Sequence, residues 1–393
     1  MPSRTILLNP GPVNISERVR RALLRADICH REEEYTRLMA SIRSRLCEAF
    51  ASSGFTAVLI TGSGTAALEA AVASSAETDR AILVVVNGVY GERIARMVTL
   101  HGVRVVEVAG EWTRPPDLAR VEAALRSDPA IQVVAMVHHE TTTGLINPVA
   151  EVGWLAKAAG KSFLVDSISG LGGEPLDLQA VGVDLCVGTA NKCIQGVPGL
   201  SFVLVRHEEM ARLASVPPRS VYLSLPSDWQ AQEKGEPLFT PAVQVGYALD
   251  EALAELLEET VPARIARYAG AAALLRNGFQ RLGLSFLLPP LLRGNTITAL
   301  ELPAGVSYTR LHDQLKARGF VIYAGQGPLA PRIFRVANMG DVSAEEYREF
   351  LVALEAVLSL GGGPRPPSEP PPEVARAKPA LEATRGSDVA STP

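Results

Sequence analysis

The chain has 393 residues, of which 47% are apolar and 20% charged, so it is long enough to bury a large core without metals or disulfides. Its formal net charge of −4 argues against a nucleic-acid-binding protein, which usually carries a basic surplus. No apolar run approaches the about 18 residues of a membrane span, and the N-terminal apolar stretch is too short for a signal peptide, so we expect a soluble cytoplasmic protein.

Short apolar runs alternate with helical patterns through the first half of the chain. A helical pattern over 66–73 follows the first run. The runs lack polar alternation, which indicates strands buried on both faces. Interleaved helices therefore predict an α/β protein with a parallel or mixed central sheet. The predicted strands cover residues 57–60, 81–86, 132–137, 162–165, 185–188 and 201–205.

The remainder of the chain has a different pattern. Residues 242–279 are helical in pattern and rich in Ala, Leu and Glu, and Pro262 predicts a break into two helices. The tail over 361–393 is rich in Pro and Gly and lacks aromatic residues, which predicts a disordered, non-catalytic segment. Between them, the region 294–360 is typical of a smaller α/β domain, with strands near 296–300 and 320–323.

A glycine-rich turn with the sequence Thr61-Gly62-Ser63-Gly64-Thr65 joins the first predicted strand to its helix. Glycines allow a tight turn and a close approach to a ligand, and the helix presents free N–H groups with a positive dipole end. A phosphate would fit there. The GxGxxA spacing also fits a loose dinucleotide-binding fingerprint, and a plain strand–helix turn is the third possibility, so the turn alone leaves all three open.

Two charged residues follow later apolar runs. Asp166 stands at the end of its run, where an acid faces the usual ligand crevice of an α/β sheet; it could hold a pyridinium nitrogen protonated, cap a helix or bind a metal. Lys192 follows the next run and precedes a Gly/Pro-rich loop. Partial burial would lower its pKa and free a nucleophilic amine, whereas a solvated surface lysine is the simpler alternative.

Taken together, a phosphate cradle, an acid and a lysine are the parts that a pyridoxal phosphate site requires. Lys192 lies 26 residues after Asp166, about one strand–helix–strand unit. A nicotinamide enzyme would need no such lysine. None of the four cysteines forms a CxxC pair, no metal site is predicted, and Cys186 and Cys193 are expected to be thiols rather than a disulfide.

Over residues 5–355 the chain resembles the class V (fold type I) aminotransferases. The resemblance implies a large cofactor-binding domain over 15–245 with a mainly parallel sheet, and a small α/β domain built from 1–14 and 246–360. The ETTTG and ANKCIQGVPG segments are the most specific, and they resemble members that use 2-aminoethylphosphonate and pyruvate. The matching stretches are LLNPGPV, GSGTAALEA, NGVYGER, MVHHETTTGLINP, LVDSISGLGG, ANKCIQGVPG, GFVIYAGQG and FRVANMG.

Carried over position by position, the resemblance implies that Lys192 holds pyridoxal 5′-phosphate and moves the substrate proton, while Asp166 pairs with the pyridine nitrogen. It also implies that Ser63, Gly64 and Thr65 bind the cofactor phosphate, that Tyr90 stacks on the ring and that Thr141 lies near the phenolic oxygen. Asn191 is expected to lie near the cofactor, Thr240 to reach the phosphate of the neighbouring subunit, and Arg335 to bind the substrate carboxylate.

The implied reaction is ping-pong transamination in a homodimer whose sites are each shared between two chains. The amino group of 2-aminoethylphosphonate passes to pyruvate, which leaves phosphonoacetaldehyde and L-alanine. The sequence departs from the family near the expected substrate entrance. The stretch 29–35 lacks an expected aromatic residue and aspartates, and its His30 could contact the substrate or lie in solvent. Ala324 and Gln326 replace an expected proline and, in some relatives, a lysine.

Three alternatives stay open at this point. The first is alanine– or serine–glyoxylate transamination, because specificity depends on a few pocket residues. The second is a pyridoxal phosphate lyase such as a cysteine desulfurase, which needs a mobile cysteine; Cys193 is constrained beside Lys192, which leaves Cys29. The third is a binding protein or a dehydrogenase that uses the glycine-rich turn.

Overall fold

A seven-stranded sheet forms the centre of the molecule, in a computed structural model that describes residues 4–51 and 53–359. The predicted tail over 361–393 lies outside the described residues. The strands in chain order are β1 Ile6–Leu7, β2 Phe55–Thr61, β3 Ala81–Val86, β4 Arg104–Ala109, β5 Ile131–Val137, β6 His139–Glu140, β7 Leu145–Ile146, β8 Ser162–Asp166, β9 Leu185–Thr189, β10 Leu200–Arg206, β11 Ile297–Glu301, β12 Phe320–Val321, β13 Tyr323–Ala324 and β14 Ile333–Ala337.

The central sheet has the strand order β2-β10-β9-β8-β5-β3-β4. Neighbours from β9 to β4 run parallel, whereas β10 is antiparallel to both β2 and β9. The prediction of an α/β fold with a mainly parallel sheet is therefore confirmed. The edge strand β4 was missed because its exposed and buried residues do not form a continuous apolar run.

Helices cover both faces of this sheet. Along β3, Ile82 and Val84 belong to one apolar core, whereas Leu83 and Val85 belong to the other, which explains the unbroken apolar run. The helices are α1 Glu17–Ala22, α2 Glu33–Phe50, α3 Gly64–Ser75, α4 Val89–Leu100, α5 Leu118–Ser127, α6 Val149–Ala158, α7 Leu178–Val181, α8 His207–Leu213, α9 Leu225–Glu233, α10 Val243–Glu259, α11 Val261–Arg281, α12 Tyr308–Lys316 and α13 Ala344–Ser359.

The long helical region divides two residues earlier than predicted. The break falls at Thr260, which has a φ of 73°, and not at Pro262. Pro262 lies in the first turn of α11, where its missing N–H group interrupts no helical hydrogen bond. The hydroxyl of Thr260 accepts from the backbone N–H of Ala263 at 3.3 Å and caps α11.

A second core lies under a three-stranded antiparallel sheet of order β11-β14-β13, against α11, α12 and α13. Strand β1 from the N-terminal arm pairs in parallel with β12 and brings Ile6 and Leu8 into this core. The exact domain boundaries, 15–245 against 1–14 with 246–360, stay a prediction. Within residues 4–51 and 53–359, no helix is both long and apolar enough to span a membrane.

Candidate active site

The loops at one edge of the central sheet carry the chemically interesting residues. Strands β2, β3, β5, β8 and β9 all point in the same direction, so their carboxyl ends meet at this edge. Asp166 is the last residue of β8, and Lys192 lies three residues after the end of β9. A ligand crevice at the carboxyl ends of parallel strands is the usual arrangement in open α/β sheets.

A cavity of about 180 Å³ at this edge brings together eight of the ten predicted site residues. Their roles stay predictions, but their proximity follows from the fold. The eight are Ser63, Gly64, Thr65, Tyr90, Thr141, Asp166, Asn191 and Lys192. The cavity wall also includes residues that the sequence did not single out, among them Gly11, Arg93, His139, Ile168, Ser169 and Thr189.

The amine of Lys192 is enclosed by the cavity and by the N-terminal arm. It donates a hydrogen bond to the carbonyl of Pro10. Gly11 packs directly on the lysine: a Cβ there would lie 2.8 Å from Lys192 Cδ, and its φ of +103° also favours glycine. Desolvation lowers the pKa of Lys192 to about 8, with Arg335 and Arg93 acting in the same direction. About a tenth of the amine is therefore uncharged and nucleophilic at pH 7, far more than for an ordinary lysine with a pKa of 10.5.

Asp166 is buried, with 3% of its surface exposed. Its Oδ1 accepts from the backbone N–H of Ile168 at 3.0 Å. Burial raises the pKa of Asp166 to about 6, although that hydrogen bond and the positive charges of Arg93 and Lys192 oppose the rise. A buried carboxylate in this state is stabilised by a cationic partner, and a protonated ring nitrogen in the cavity would supply one.

The glycine-rich turn places the N-terminus of α3 at the cavity. Ser63 is the N-cap residue, and its side chain makes no capping hydrogen bond, so its hydroxyl is available to a ligand. The first-turn N–H groups at Gly64 and Thr65 have no acceptor within the helix. A Cβ at Gly64 would lie 2.9 Å from the Ile168 side chain, which explains the small residue. The turn thus has the donors that a phosphate needs.

Arg335 on β14 is buried and reaches the loop that carries Thr141. Its Nη1 donates to the Thr141 carbonyl at 2.7 Å and to Gln326 Oε1 at 3.1 Å, and its Nε donates to the Ala324 carbonyl at 2.9 Å. Its Nη2 makes no hydrogen bond to any residue that the structure describes, which leaves a donor for an anion. Burial lowers the pKa of Arg335. Both departures from the family, Ala324 and Gln326, therefore contact this arginine directly.

Thr240 does not join the cavity of its own chain. It is exposed and lies beside Phe239 and Tyr222, whose rings stack with centroids 5.2 Å apart. The prediction that it reaches the neighbouring subunit's phosphate stays a prediction. Val221, Tyr222 and Phe239 form an exposed apolar patch next to it.

Two buried groups near the cavity were missed by sequence reasoning. His139 has an Nε2 without a hydrogen-bond partner among the described residues, and burial lowers its pKa to about 4. Glu140 is fully buried with one unpartnered carboxylate oxygen, and burial raises its pKa. Their sequence signal is their place in the MVHHETTTGLINP stretch that carries the resemblance. Arg93 had a clearer one, since it stands one helical turn after Tyr90.

All four cysteines are free thiols, in agreement with the prediction for Cys186 and Cys193. Cys193 is buried, and its Sγ donates to the Ser169 carbonyl at 3.7 Å. Desolvation raises the pKa of Cys193 to about 12. Burial and a raised pKa both make this thiol a poor nucleophile.

Comparison with known proteins gives concordant results. A sequence profile of the family described as aminotransferase class-V matches residues 17–337. The chain is 40% identical over 363 residues to a 2-aminoethylphosphonate–pyruvate transaminase of Syntrophobacter fumaroxidans, covering 91% of this chain and 97% of the relative. It is 38% identical over 365 residues to the protein of the same name from Vibrio cholerae, covering 91% and 99%. The crystal structure of ureidoglycine–glyoxylate aminotransferase from Bacillus subtilis matches with a TM-score of 0.87 at 28% identity, covering 92% and 94%.

Proposed function

This chain belongs to the class V aminotransferases, and on that premise we propose that it transfers the amino group of 2-aminoethylphosphonate to pyruvate, giving phosphonoacetaldehyde and L-alanine. The observation that carries the transaminase chemistry is the presence of the Lys192 amine and the Asp166 carboxyl in the wall of one cavity. The relatives at 38% and 40% identity support the choice of donor and acceptor.

Aminotransferases of this class use pyridoxal 5′-phosphate. The cavity fits this cofactor on three counts: the unpartnered donors at Ser63 and Gly64 suit its phosphate, the buried acid Asp166 suits its ring nitrogen, and the lowered pKa of Lys192 suits covalent attachment. When bound, the cofactor supplies an electron sink that accepts the electron pair released from the substrate carbon.

The chain's own residues bind the reactants and move the protons. Lys192 would hold the cofactor covalently, and its free amine would act as the base that takes the proton from the carbon that bears the amino group. Its pKa of about 8 suits both giving and taking a proton near neutral pH. Asp166 keeps the ring nitrogen protonated by its negative charge. The free Nη2 of Arg335 binds the anionic end of either substrate, the phosphonate or the carboxylate.

The test of this proposal is a donor screen on the purified protein. Each amine is mixed alone with the loaded enzyme, and loss of the cofactor's visible absorption is followed in time. We expect conversion with 2-aminoethylphosphonate and none with serine. Lys192→Ala should abolish conversion, whereas Lys316→Ala, an exposed lysine on α12, should not change it. Conversion by serine or alanine, but not by 2-aminoethylphosphonate, would still support a transaminase, but it would indicate alanine– or serine–glyoxylate transamination instead.

The cysteine desulfurase alternative is disfavoured by a specific observation. Such an enzyme needs a mobile, nucleophilic thiol at the cavity, but Cys193 is buried and its raised pKa keeps it protonated. Cys29 is exposed, and it is not part of the cavity wall. A screen with cysteine as the only amine should therefore release no sulfide.

We also propose that the enzyme is a homodimer in which Thr240 contacts the cofactor phosphate of the other chain. The apolar patch of Val221, Tyr222 and Phe239 supports this, because Val221 is 84% exposed in one chain and lies close in sequence to the stacked rings. Exposed apolar groups of this kind mark interaction surfaces. A cytoplasmic location is part of the proposal, supported by four cysteines that are all free thiols.

A further inference from the structure

We propose that Arg93 is the cationic residue that binds the 5′-phosphate of the cofactor. The proposal rests on the cofactor and not on the amine donor, so it stands or fails separately from the choice of 2-aminoethylphosphonate. The sequence comparison with the family assigned the phosphate to Ser63, Gly64 and Thr65, which are all uncharged.

The first line of support is position. Arg93 lies on α4, one turn after Tyr90, and lines the same cavity as the glycine-rich turn. Its Nη1 donates to Thr65 Oγ1 at 3.2 Å, so the guanidinium already contacts the phosphate cradle. Its Cζ lies 4.6 Å from the centroid of the Tyr90 ring, which holds the flat group on an aromatic face. The arginine is thus fixed between the predicted ring-stacking residue and the predicted phosphate donors.

The second line of support is charge. Within residues 4–51 and 53–359, no carboxylate forms an ion pair with Arg93, although most arginines in this molecule have one. The charged groups that face it across the cavity are Asp166, whose pKa it helps to lower, and Lys192. A partly buried cation without an acidic partner is poised for an anionic ligand.

The third line of support is what a phosphate requires. A phosphate monoester carries a charge of about −1.5 to −2 at pH 7, because its second pKa is about 6. The N-terminus of α3 offers the equivalent of about half a positive charge. Asp166 adds a negative charge to the same cavity, and Lys192 is consumed by covalent attachment. Arg93 therefore supplies the positive charge that the neutral cradle lacks.

The rival role for Arg93 is to bind the phosphonate of the substrate. Its hydrogen bond to Thr65 favours the cofactor phosphate, since Thr65 belongs to the cradle, whereas Arg335 contacts the loop of Thr141. The two roles predict opposite results in a binding experiment on the protein without substrate.

The first experiment measures the affinity of cofactor-free protein for pyridoxal 5′-phosphate and for pyridoxal, which lacks the phosphate. Arg93→Gln should weaken binding of the phosphorylated form by about tenfold to a hundredfold, the loss of a charge-assisted hydrogen-bonding pair, and leave pyridoxal within about twofold. Arg93→Lys should lie between, because it keeps the charge but loses the fork. Arg96→Gln, an exposed arginine on the same helix, is the matched control and should match the wild type.

The second experiment follows the cofactor phosphate itself by ³¹P NMR across pH. In the wild type the arginine should keep the phosphate dianionic well below its free second pKa of about 6, whereas in Arg93→Gln the signal should titrate at higher pH. A purely structural role for Arg93 would move neither the titration nor the ratio of the two affinities. Equal loss for both cofactor forms, or unchanged affinity with a raised KM for the donor, would overturn the proposal.

Discussion

At the scale of single residues, the site combines groups whose ionisation is displaced by burial. The pKa of Lys192 falls to about 8 and that of Asp166 rises to about 6, in each case mainly because desolvation disfavours the charged form. Each shift serves the chemistry and costs stability in the cofactor-free protein. The raised pKa of Asp166 gives a testable consequence, since the side chain is 3% exposed and screening by solvent is weak.

Asp166→Asn should make the cofactor-free protein more stable at pH 7, by up to about 3 kcal/mol, because the wild type pays to ionise a buried acid. The sign follows from the pKa: a folded-state value of about 6, above the usual 3.8, means that stability is lost as pH rises through 6. The difference should shrink as pH falls from 6 to 4. Urea unfolding at pH 7 and pH 4 measures it, with Asp79→Asn as an exposed control. A less stable variant at pH 7 would contradict this account.

At the scale of elements, α11 holds the loop that carries Lys192. The Tyr268 hydroxyl, on α11, accepts from Gln195 Nε2 at 2.7 Å and from the backbone N–H of Gly340 at 3.1 Å, and it donates to the Cys193 carbonyl at 3.3 Å. Gln195 has a positive φ of 68°, which is uncommon for a residue with a side chain. The hydrogen bonds of α11 thus maintain a loop conformation that its own sequence does not favour.

Tyr268→Phe should destabilise the protein by about 1–3 kcal/mol, because the buried donors of Gln195 and Gly340 lose their acceptor, whereas the Cys193 carbonyl keeps Arg264 Nη1 at 3.0 Å. As a positioning residue, Tyr268 should also affect the covalent attachment of the cofactor, since its loss allows the loop of Lys192 to move. Unfolding and the pH at which the cofactor band half-forms are the two measurements. Tyr323→Phe, a partly exposed tyrosine with no hydrogen bond among the described contacts, serves as the control. A change in stability alone, with an unaltered pH midpoint, would rule out the positioning role.

The junction between α10 and α11 offers a second prediction at this scale. Thr260 has φ 73° and ψ 144°, a backbone region that glycine adopts far more readily. Thr260→Gly should stabilise the protein by about 1 kcal/mol, because relief of strain exceeds the few tenths lost with the cap. Thr260→Ser keeps the capping hydroxyl but does not relieve the backbone strain, so it should leave the stability unchanged. Thermal unfolding measures the stability of both variants. A glycine variant less stable than the serine variant would show that the capping hydrogen bond contributes more than the strain costs.

At the scale of the whole molecule, the proposed dimer explains the apolar patch of Val221, Tyr222 and Phe239 beside Thr240. Val221→Asp should give monomers and weaken cofactor binding, because a buried charge is costly and Thr240 of the other chain is then lost. Leu24→Asp, at a residue 83% exposed elsewhere, is the matched control. Light scattering gives the mass of each. A wild type with the mass of one chain, or a Val221→Asp dimer, would refute the assembly.

The amino-acid sequence predicted the layered sheet, because unbroken apolar runs such as β3 require burial on both faces. It also predicted the cofactor, because the glycine-rich turn, Asp166 and Lys192 each stand at the end of a strand and parallel strands end at one edge. Local pattern missed β4, whose edge position leaves it only half apolar, and put the break of the long helix at Pro262 instead of Thr260.

Which side chains share the cavity, and in which ionisation state, depends on the folded arrangement of the chain. The contact of Arg93 with Thr65, the packing of Gly11 on Lys192 and the support of Tyr268 for the following loop join residues distant in sequence. Their pKa values depend on burial and on neighbours brought together by the fold. Pattern and composition report which residue types are present, whereas distance and desolvation arise only when the chain has folded.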